Sequence, residues 1–211
     1  MINSPLLKYY KLIFLLCFLS YSNIFAQLSN FSDEFDNPES IENWNLHNSG
    51  PLSANYYETL ILSDSLIAGS TVAGAPLGQL TLIPGPNHSG WFANVMGPML
   101  SREVTGNFVV STYVTVHNKN DYNDLPTSDY NAAGIIARNP DTEDNENYVI
   151  TNLGFQSYEN GIGTETKTTL NGESTLYLNP DSSRAEIRMC RVGDMFRTYK
   201  RNPTDESLQM V

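Results

Sequence analysis

The sequence predicts an all-β domain, either a sandwich or a barrel of antiparallel strands. Short runs in which apolar and polar residues alternate recur along the chain, and clusters of Gly, Pro and Asn separate them. No apolar pattern of helical period extends over the length of an ordinary helix. Near the C-terminal end, Gly193-Asp194 joins two alternating runs, which is typical of a tight two-residue hairpin.

The first segment has the features of a secretory signal peptide. Two lysines precede an apolar run at 12–19, and Ala26 is a small residue at which a signal peptidase can cut. A membrane span needs ~20 apolar residues, so this run predicts export without a transmembrane helix. Cys17 offers the alternative of a lipoprotein anchor, but the residue before it is a leucine rather than a small residue. We therefore expect a signal peptide at 1–26 and one domain at 27–211.

The charge of the chain is strongly acidic. It has 12 Lys and Arg against 23 Asp and Glu, a net charge of −11, and loss of two signal-peptide lysines would bring this to about −13. Nucleic acid is therefore not an expected partner, because binding to phosphates needs clustered cations. Only Cys190 would remain after cleavage, so the secreted chain has no internal disulfide.

The segment after the signal peptide allows two interpretations. One is an edge strand followed by a short turn that starts at Pro38 and leads to Trp44 as a core residue. The other is a structural calcium site, because Asp33, Glu34 and Asp36 offer hard oxygen ligands. These acids lack the spacing of an EF-hand loop, and we name Asp33 and Asp36 as the candidate ligands.

The next part of the chain contains four more strand-like runs with turn residues between them. They are ETLILSD, SLIAGS, QLTLIPG and GWFANVMGPMLSREV. Trp91 and Phe92 follow a Gly- and Pro-rich loop, and we expect them either in the core or near the rim of the fold.

Longer strands follow from Gly106 onward. In NFVVSTYVTVH, YNAAGIIARNP and ENYVITNLGFQS, alternate residues form an apolar face and a polar face. We expect these strands to form a meander that continues through GTETKTTLN and STLYLN. With the hairpin at 183–202, they would make one sheet of five or more strands. An antiparallel sheet can keep one face in water, and the residues expected there are Tyr113, Arg138, Tyr148, Asn152, Arg188 and Tyr199.

These runs resemble a known superfamily. The order FSDEFD…W, GNFVVSTYVTV, AAGIIARNP…ENYVITNLGF and AEIRMCRVGDMFRTYKR is similar to that of the concanavalin A-like lectin/glucanase superfamily. It is closest to the non-catalytic, laminin-G-like modules of bacterial secreted glycoside hydrolases and adhesins. The likeness covers roughly 30–211 and consists of strands and turns rather than a signature motif.

The resemblance implies a jelly-roll sandwich of two curved antiparallel sheets, often with a structural calcium, whose concave face binds carbohydrate in many relatives. Catalytic relatives carry Glu-x-Asp-x-x-Glu on one strand, and this run is absent from the sequence. Glu143 and Glu146 lie in a predicted loop, and Glu186 has no second acid on its strand face. Since glycosidases need two carboxyl groups at a fixed separation, hydrolysis by this domain is not expected.

Other catalytic and metal patterns are also missing from the sequence. The three histidines are far apart, and neither a Gly-x-Ser-x-Gly elbow nor a Gly-rich phosphate loop is present. Three hypotheses follow. The first is a secreted or cell-surface carbohydrate-binding module of a larger polysaccharide-degrading or adhesive protein, with the six polar-face residues contacting a glycan. The second is a scaffold or adhesin domain with a protein partner. A glycoside hydrolase is the third and least favoured.

The last residues begin another strand pattern. Leu208 and Met210 alternate with Gln209 and Val211, and no closing turn follows. We expect a C-terminally truncated product whose final sheet has an unpaired edge, with further modules downstream in the parent protein.

Overall fold

The computed structural model describes residues 31–35, 38–47, 57–62, 79–84, 91–94, 97, 99–118, 120–141, 145–157 and 160–211. Within these residues the chain is mostly strand, and the helical element is a 3₁₀ turn at Pro38–Asn43. The described residues contain twelve strands. They are β1 Asn45–His47, β2 Tyr57–Leu62, β3 Leu80–Pro84, β4 Met99–Ser101, β5 Phe108–Thr115, β6 Asn131–Arg138, β7 Tyr148–Ser157, β8 Gly161–Leu170, β9 Glu173–Pro180, β10 Arg184–Val192, β11 Met195–Arg201 and β12 Gln209–Met210.

The strands form two antiparallel sheets of four strands each. Sheet I has the order β12-β11-β10-β5, and sheet II is the meander β6-β7-β8-β9. Two further pairs, β1-β4 and β2-β3, are also antiparallel. The prediction of an all-β antiparallel fold is therefore confirmed.

The C-terminal hairpin matches its sequence prediction. Val192 pairs with Met195 across Gly193-Asp194, and Gly193 has a φ of 59°. A two-residue hairpin turn needs this left-handed backbone because its twist must match that of the two strands. Along β10, Ala185, Ile187 and Met189 are all buried, as the alternation predicts.

The two sheets pack against each other in a sandwich-like arrangement. Ile187 of sheet I and Leu153 of sheet II are both fully buried and belong to one apolar cluster. Val116 and Ala185 complete that cluster, and Val114 and Ile135 pack against it. Apart from Val116, which directly follows β5, each of these side chains belongs to the apolar phase of its strand, that is, to the alternate residues that face the core.

The predicted single sheet of five or more strands is wrong. The meander ends at β9, and β10 pairs with β5 instead. The chain therefore crosses from sheet II to sheet I between Pro180 and Arg184. Alternation along a strand determines which side chains share a face, but it does not determine which strand lies alongside.

The N-terminal prediction is confirmed in one respect and corrected in another. The turn that starts at Pro38 is present and leads to Trp44, but residues 31–35 are not a strand. The predicted signal peptide at 1–26 and the run SLIAGS lie outside the described residues. No helix among the described residues has the length and apolar character needed to cross a membrane.

Candidate functional site

One face of sheet I packs on the core, and the opposite face is exposed. We call the second one the open face of sheet I. Residues directly opposite each other on paired strands share a face, and the register therefore defines its members. They are Val109, Ser111 and Tyr113 of β5, Glu186, Arg188, Cys190 and Val192 of β10, Met195, Arg197, Tyr199 and Arg201 of β11, and Met210 of β12.

Tyr199 lies at the centre of the basic part of this face. Arg188 is its partner on β10, and Arg197 and Arg201 lie two residues before and after it on its own strand. Residues two apart on a strand are about 7 Å apart, and directly opposite residues are about 5 Å apart. Three arginines are therefore neighbours of Tyr199 on this face, and Met210 of β12 lies opposite it on the remaining side.

Glu186 compensates part of this positive charge. Its Oε1 accepts a hydrogen bond from Arg188 Nη2 at 3.2 Å, and its Oε2 forms an ion pair with Arg201. Arg197 is exposed and forms no ion pair with any residue in the described ranges. Tyr113, directly opposite Glu186, is 58% exposed. The open face therefore presents to solvent one exposed tyrosine, Tyr113, one half-buried tyrosine, Tyr199, and the uncompensated Arg197.

The outer face of sheet II has a different character, because residues 91–94 cover it. Lys167 Nζ donates to the carbonyl oxygen of Trp91 at 2.5 Å, and the Ala93 amide donates to Ser174 Oγ at 2.9 Å. The Trp91 ring makes an edge contact with Tyr148, with centroids 5.5 Å apart. These contacts hold the 91–94 segment against the sheet.

Two buried ion pairs lie on or beside this covered face. Arg138 makes a two-pronged contact with Glu146, with both N–O distances at 2.7 Å. The hydrogen bond to Glu146 raises the pKa of Arg138, and the nearby negative charge adds to this against an opposing effect of burial. Lys167 Nζ lies 2.6 Å from Glu165 Oε1, with both side chains almost fully buried. Burial raises the pKa of the Tyr148 hydroxyl.

The six predicted polar-face residues divide between the two faces. Tyr113, Arg188 and Tyr199 lie together on the open face of sheet I. Arg138, Tyr148 and Asn152 lie on the outer face of sheet II, where Arg138 pairs with Tyr148. The expectation of one shared wet face is therefore wrong, since its residues come from two sheets. Tyr148 is also only 3% exposed, because the 91–94 segment covers its ring.

Comparisons with protein families, curated proteins and solved structures found no significant match. A role for either face therefore depends on the chemistry of its own residues.

Sequence reasoning did not identify the Glu165–Lys167 pair. The signal is present in TETKTT, because residues two apart on a strand share a face. The position of the 91–94 segment above this pair is a long-range contact, and no local pattern indicates it.

The proposed calcium ligands occupy the start of the described chain. Asp33 Oδ1 accepts from the Phe35 amide at 2.9 Å, and Oδ2 accepts from the Trp44 indole at 2.7 Å and from Arg102 at 3.4 Å. Asp36 lies outside the described residues. In the described ranges, no three His, Cys, Asp or Glu side chains come together as a metal-ligand group.

Proposed function

We propose that this chain is a secreted, non-catalytic carbohydrate-binding module that acts through the open face of sheet I. The observation that carries the proposal is the position of Tyr199 on an exposed sheet face, with Arg188 opposite it and Tyr113 nearby. We also propose that the sandwich-like sheets are those of a concanavalin A-like jelly roll in a larger extracellular protein.

The chemistry of the open face suits a sugar. Aromatic rings offer flat apolar surfaces to the C–H faces of pyranose rings, and their polar ends remain in water. Guanidinium N–H groups donate to hydroxyl oxygens, and Ser111 and Glu186 on the same face can accept from hydroxyl hydrogens. These groups lie on strands of a packed sheet, which positions them more firmly than a loop would.

The non-catalytic part of the proposal rests on the surroundings of the acids. Glu146 and Glu165 each form an ion pair with a buried cation, and Glu186 lies between two arginines. Glycosidases use two carboxyl groups that face one glycosidic bond at a fixed separation, whereas each of these three carboxylates is held in an ion pair.

A scaffold or adhesin domain is the second candidate. Val109, Val192 and Met195 are exposed on the same face, toward the hairpin turn. Exposed apolar side chains that lie close together are typical of protein contact surfaces.

The test is binding of the full chain, produced with its predicted signal peptide removed, to a panel of soluble and insoluble polysaccharides. We expect saturable binding to at least one of them, and roughly a tenfold loss of affinity in Tyr199→Ala, since stacked rings are often dominant contacts. The matched control is Tyr177→Ala, because Tyr177 is a highly exposed tyrosine on β9 of sheet II.

Measurements with calcium and with EDTA examine the proposed Asp33–Asp36 ion site in the same assay. Loss of binding in EDTA would support a structural calcium. A folded chain that binds none of the polysaccharides would contradict the carbohydrate proposal and favour the scaffold candidate. Equal losses in the two tyrosine variants would place the glycan elsewhere than the open face.

A further inference from the structure

The open face of sheet I is positive on a chain that is negative overall. Arg188, Arg197 and Arg201 lie on it with one acid, Glu186, while the whole chain has a net charge of −11. From this contrast, and on the basis of the glycan-binding function proposed above, we infer that the ligand is an acidic polysaccharide. Tyr199 would stack against a sugar ring, and Arg197 would bind its carboxylate.

The ion pairs on the face single out Arg197. Glu186 binds both Arg188 and Arg201, so these two guanidinium groups are partly neutralised and held in place. Arg197 has no such acid within the described ranges and is exposed. A planar guanidinium can donate two parallel hydrogen bonds to a carboxylate, which makes arginine well suited to a uronic acid.

The spacing of these groups fits a stacked acidic sugar. A ring stacked on Tyr199 lies about 7 Å along the strand from Arg197 and Arg201, and about 5 Å across it from Arg188. An arginine side chain can bridge such a distance to reach a substituent at the edge of the ring. A carboxylate that projects from either side of the stacked ring would therefore lie within reach of Arg188, Arg197 or Arg201.

The negative charge of the remaining surface does not prevent this contact. At physiological ionic strength the Debye length is about 8 Å, so charges farther away are largely screened, whereas groups in direct contact are not. The local positive face therefore dominates at short range. At the same time, distant acids disfavour non-specific attachment of polyanions to other parts of the surface.

The layout of the face favours a polysaccharide over a protein. Protein interfaces are depleted of charge at their centre and polar at their rim. Here the arginines are neighbours of the central Tyr199. The cations therefore lie at the centre of the face, where Met210 is an exposed apolar side chain paired with Tyr199. The exposed apolar side chains of Val192 and Met195 lie at the hairpin end.

The experiment compares two polymers with the same sugar backbone, one with free carboxylates and one with uncharged methyl esters. The full chain is titrated with the sodium form of polygalacturonate and with the fully methyl-esterified form of the same polymer, without EDTA and without added calcium, so that the polymer does not gel. We expect at least tenfold tighter binding of the unesterified polymer. Arg197→Gln should weaken that binding roughly tenfold, in the range of a charge-assisted contact, and should weaken binding of the uncharged ester by a clearly smaller factor.

The matched control is Arg191→Gln. It removes the same charge from the same hairpin, but Arg191 lies in the other phase of β10 and donates to the Gly193 carbonyl oxygen. We expect less than a twofold change in its affinity for polygalacturonate. Near-ultraviolet circular dichroism of both variants establishes that they are folded.

Each outcome separates the two proposals. Equal affinity for the two polymers would overturn the acidic-ligand inference and leave the glycan-binding function standing. If the folded chain bound neither of the two polymers and no other glycan, both the glycan-binding function and the acidic-ligand inference would be overturned. An equal loss in Arg191→Gln and Arg197→Gln would indicate a general charge effect and would also overturn the assignment of Arg197.

Discussion

The carboxylate of Asp33 links three parts of the N-terminal region. It accepts hydrogen bonds from the Phe35 amide and the Trp44 indole and lies 3.4 Å from Arg102. The Arg102 guanidinium also lies 4.4 Å from the centre of the Trp44 ring. Burial raises the pKa of Asp33, but these donors and the arginine charge outweigh it, so the pKa falls below its usual 3.8.

This lowered pKa predicts how stability depends on pH. Because the unfolded chain binds the Asp33 proton more tightly than the folded one, the ionised group stabilises the fold above pH 3.8. That contribution decreases as the pH falls below this value and is lost once the folded carboxylate is protonated. We expect Asp33→Asn to be about 1–2 kcal/mol less stable at pH 7, with a smaller difference at pH 3.

Urea unfolding of both proteins at pH 7, 5, 4 and 3 measures this difference. Asp194→Asn serves as the control, because Asp194 is an exposed residue of the hairpin turn. A stability difference between wild type and Asp33→Asn that stays constant from pH 7 to pH 3 would show that the charge of Asp33 is not its source.

At the scale of the elements, the sequence predicts each strand better than it predicts the sheets. Alternation places Ile187 and Leu153 in the core, and both are fully buried. The hairpin turn is also predicted, because Gly193-Asp194 is a local signal. Pairing of β10 with β5 is not predicted, since the two strands are far apart in sequence and no local pattern reports their contact.

The contrast between local patterns and long-range contacts also explains which parts of the candidate site the sequence predicted. Tyr113 and Tyr199 share a face because β5 and β11 both pair with β10. Tyr113 lies opposite Glu186 and Tyr199 lies opposite Arg188, and these two β10 residues are on the same face. Tyr148 has the predicted phase on β7 but is buried, because the 91–94 segment lies over it. Phase is a local property of one strand, whereas burial of a polar face depends on what the rest of the chain places over it.

A buried ion pair connects the two sheets. Asp181 follows β9 of sheet II, and its carboxylate forms an ion pair with Lys200 of sheet I. It also accepts from Thr164 at 2.8 Å, from the Ser182 amide at 2.8 Å and from Asn202 at 3.0 Å. Removing one member of such a pair leaves a buried charge, which typically costs 3–5 kcal/mol.

We therefore expect Asp181→Asn to lower the free energy of unfolding by about 3 kcal/mol, because the buried Lys200 ammonium loses its ion-pair carboxylate and keeps the attraction of Asp205. Lys200→Met should cost less, because Asp181 keeps its other three donors. In the double variant the two losses should not add, and the coupling energy should be at least about 1 kcal/mol. Additive losses in a urea-unfolding double-mutant cycle would show that the ion pair does not link the sheets energetically.

At the scale of the whole molecule, charge is distributed unevenly. The chain has 23 acidic and 12 basic residues, and several of the basic residues, such as Lys167 and Lys200, form buried ion pairs. Exposed acids therefore repel one another across much of the surface. Such repulsion destabilises the compact state and is weakened by salt.

This imbalance predicts that added salt stabilises the protein. We expect the Tm, followed by circular dichroism, to rise by a few degrees between 20 and 500 mM NaCl, since screening about 1 kcal/mol of repulsion shifts Tm by about 2–4 °C in a chain of this size. Changing the exposed residues Glu103, Glu173 and Glu206 to Gln reduces the net charge from −11 to −8, and the salt effect should decrease with it. Binding of polygalacturonate should show the opposite salt dependence, because its contacts are attractive. A Tm that falls with salt would mean that local ion pairs such as Arg188–Glu186–Arg201 outweigh the overall repulsion.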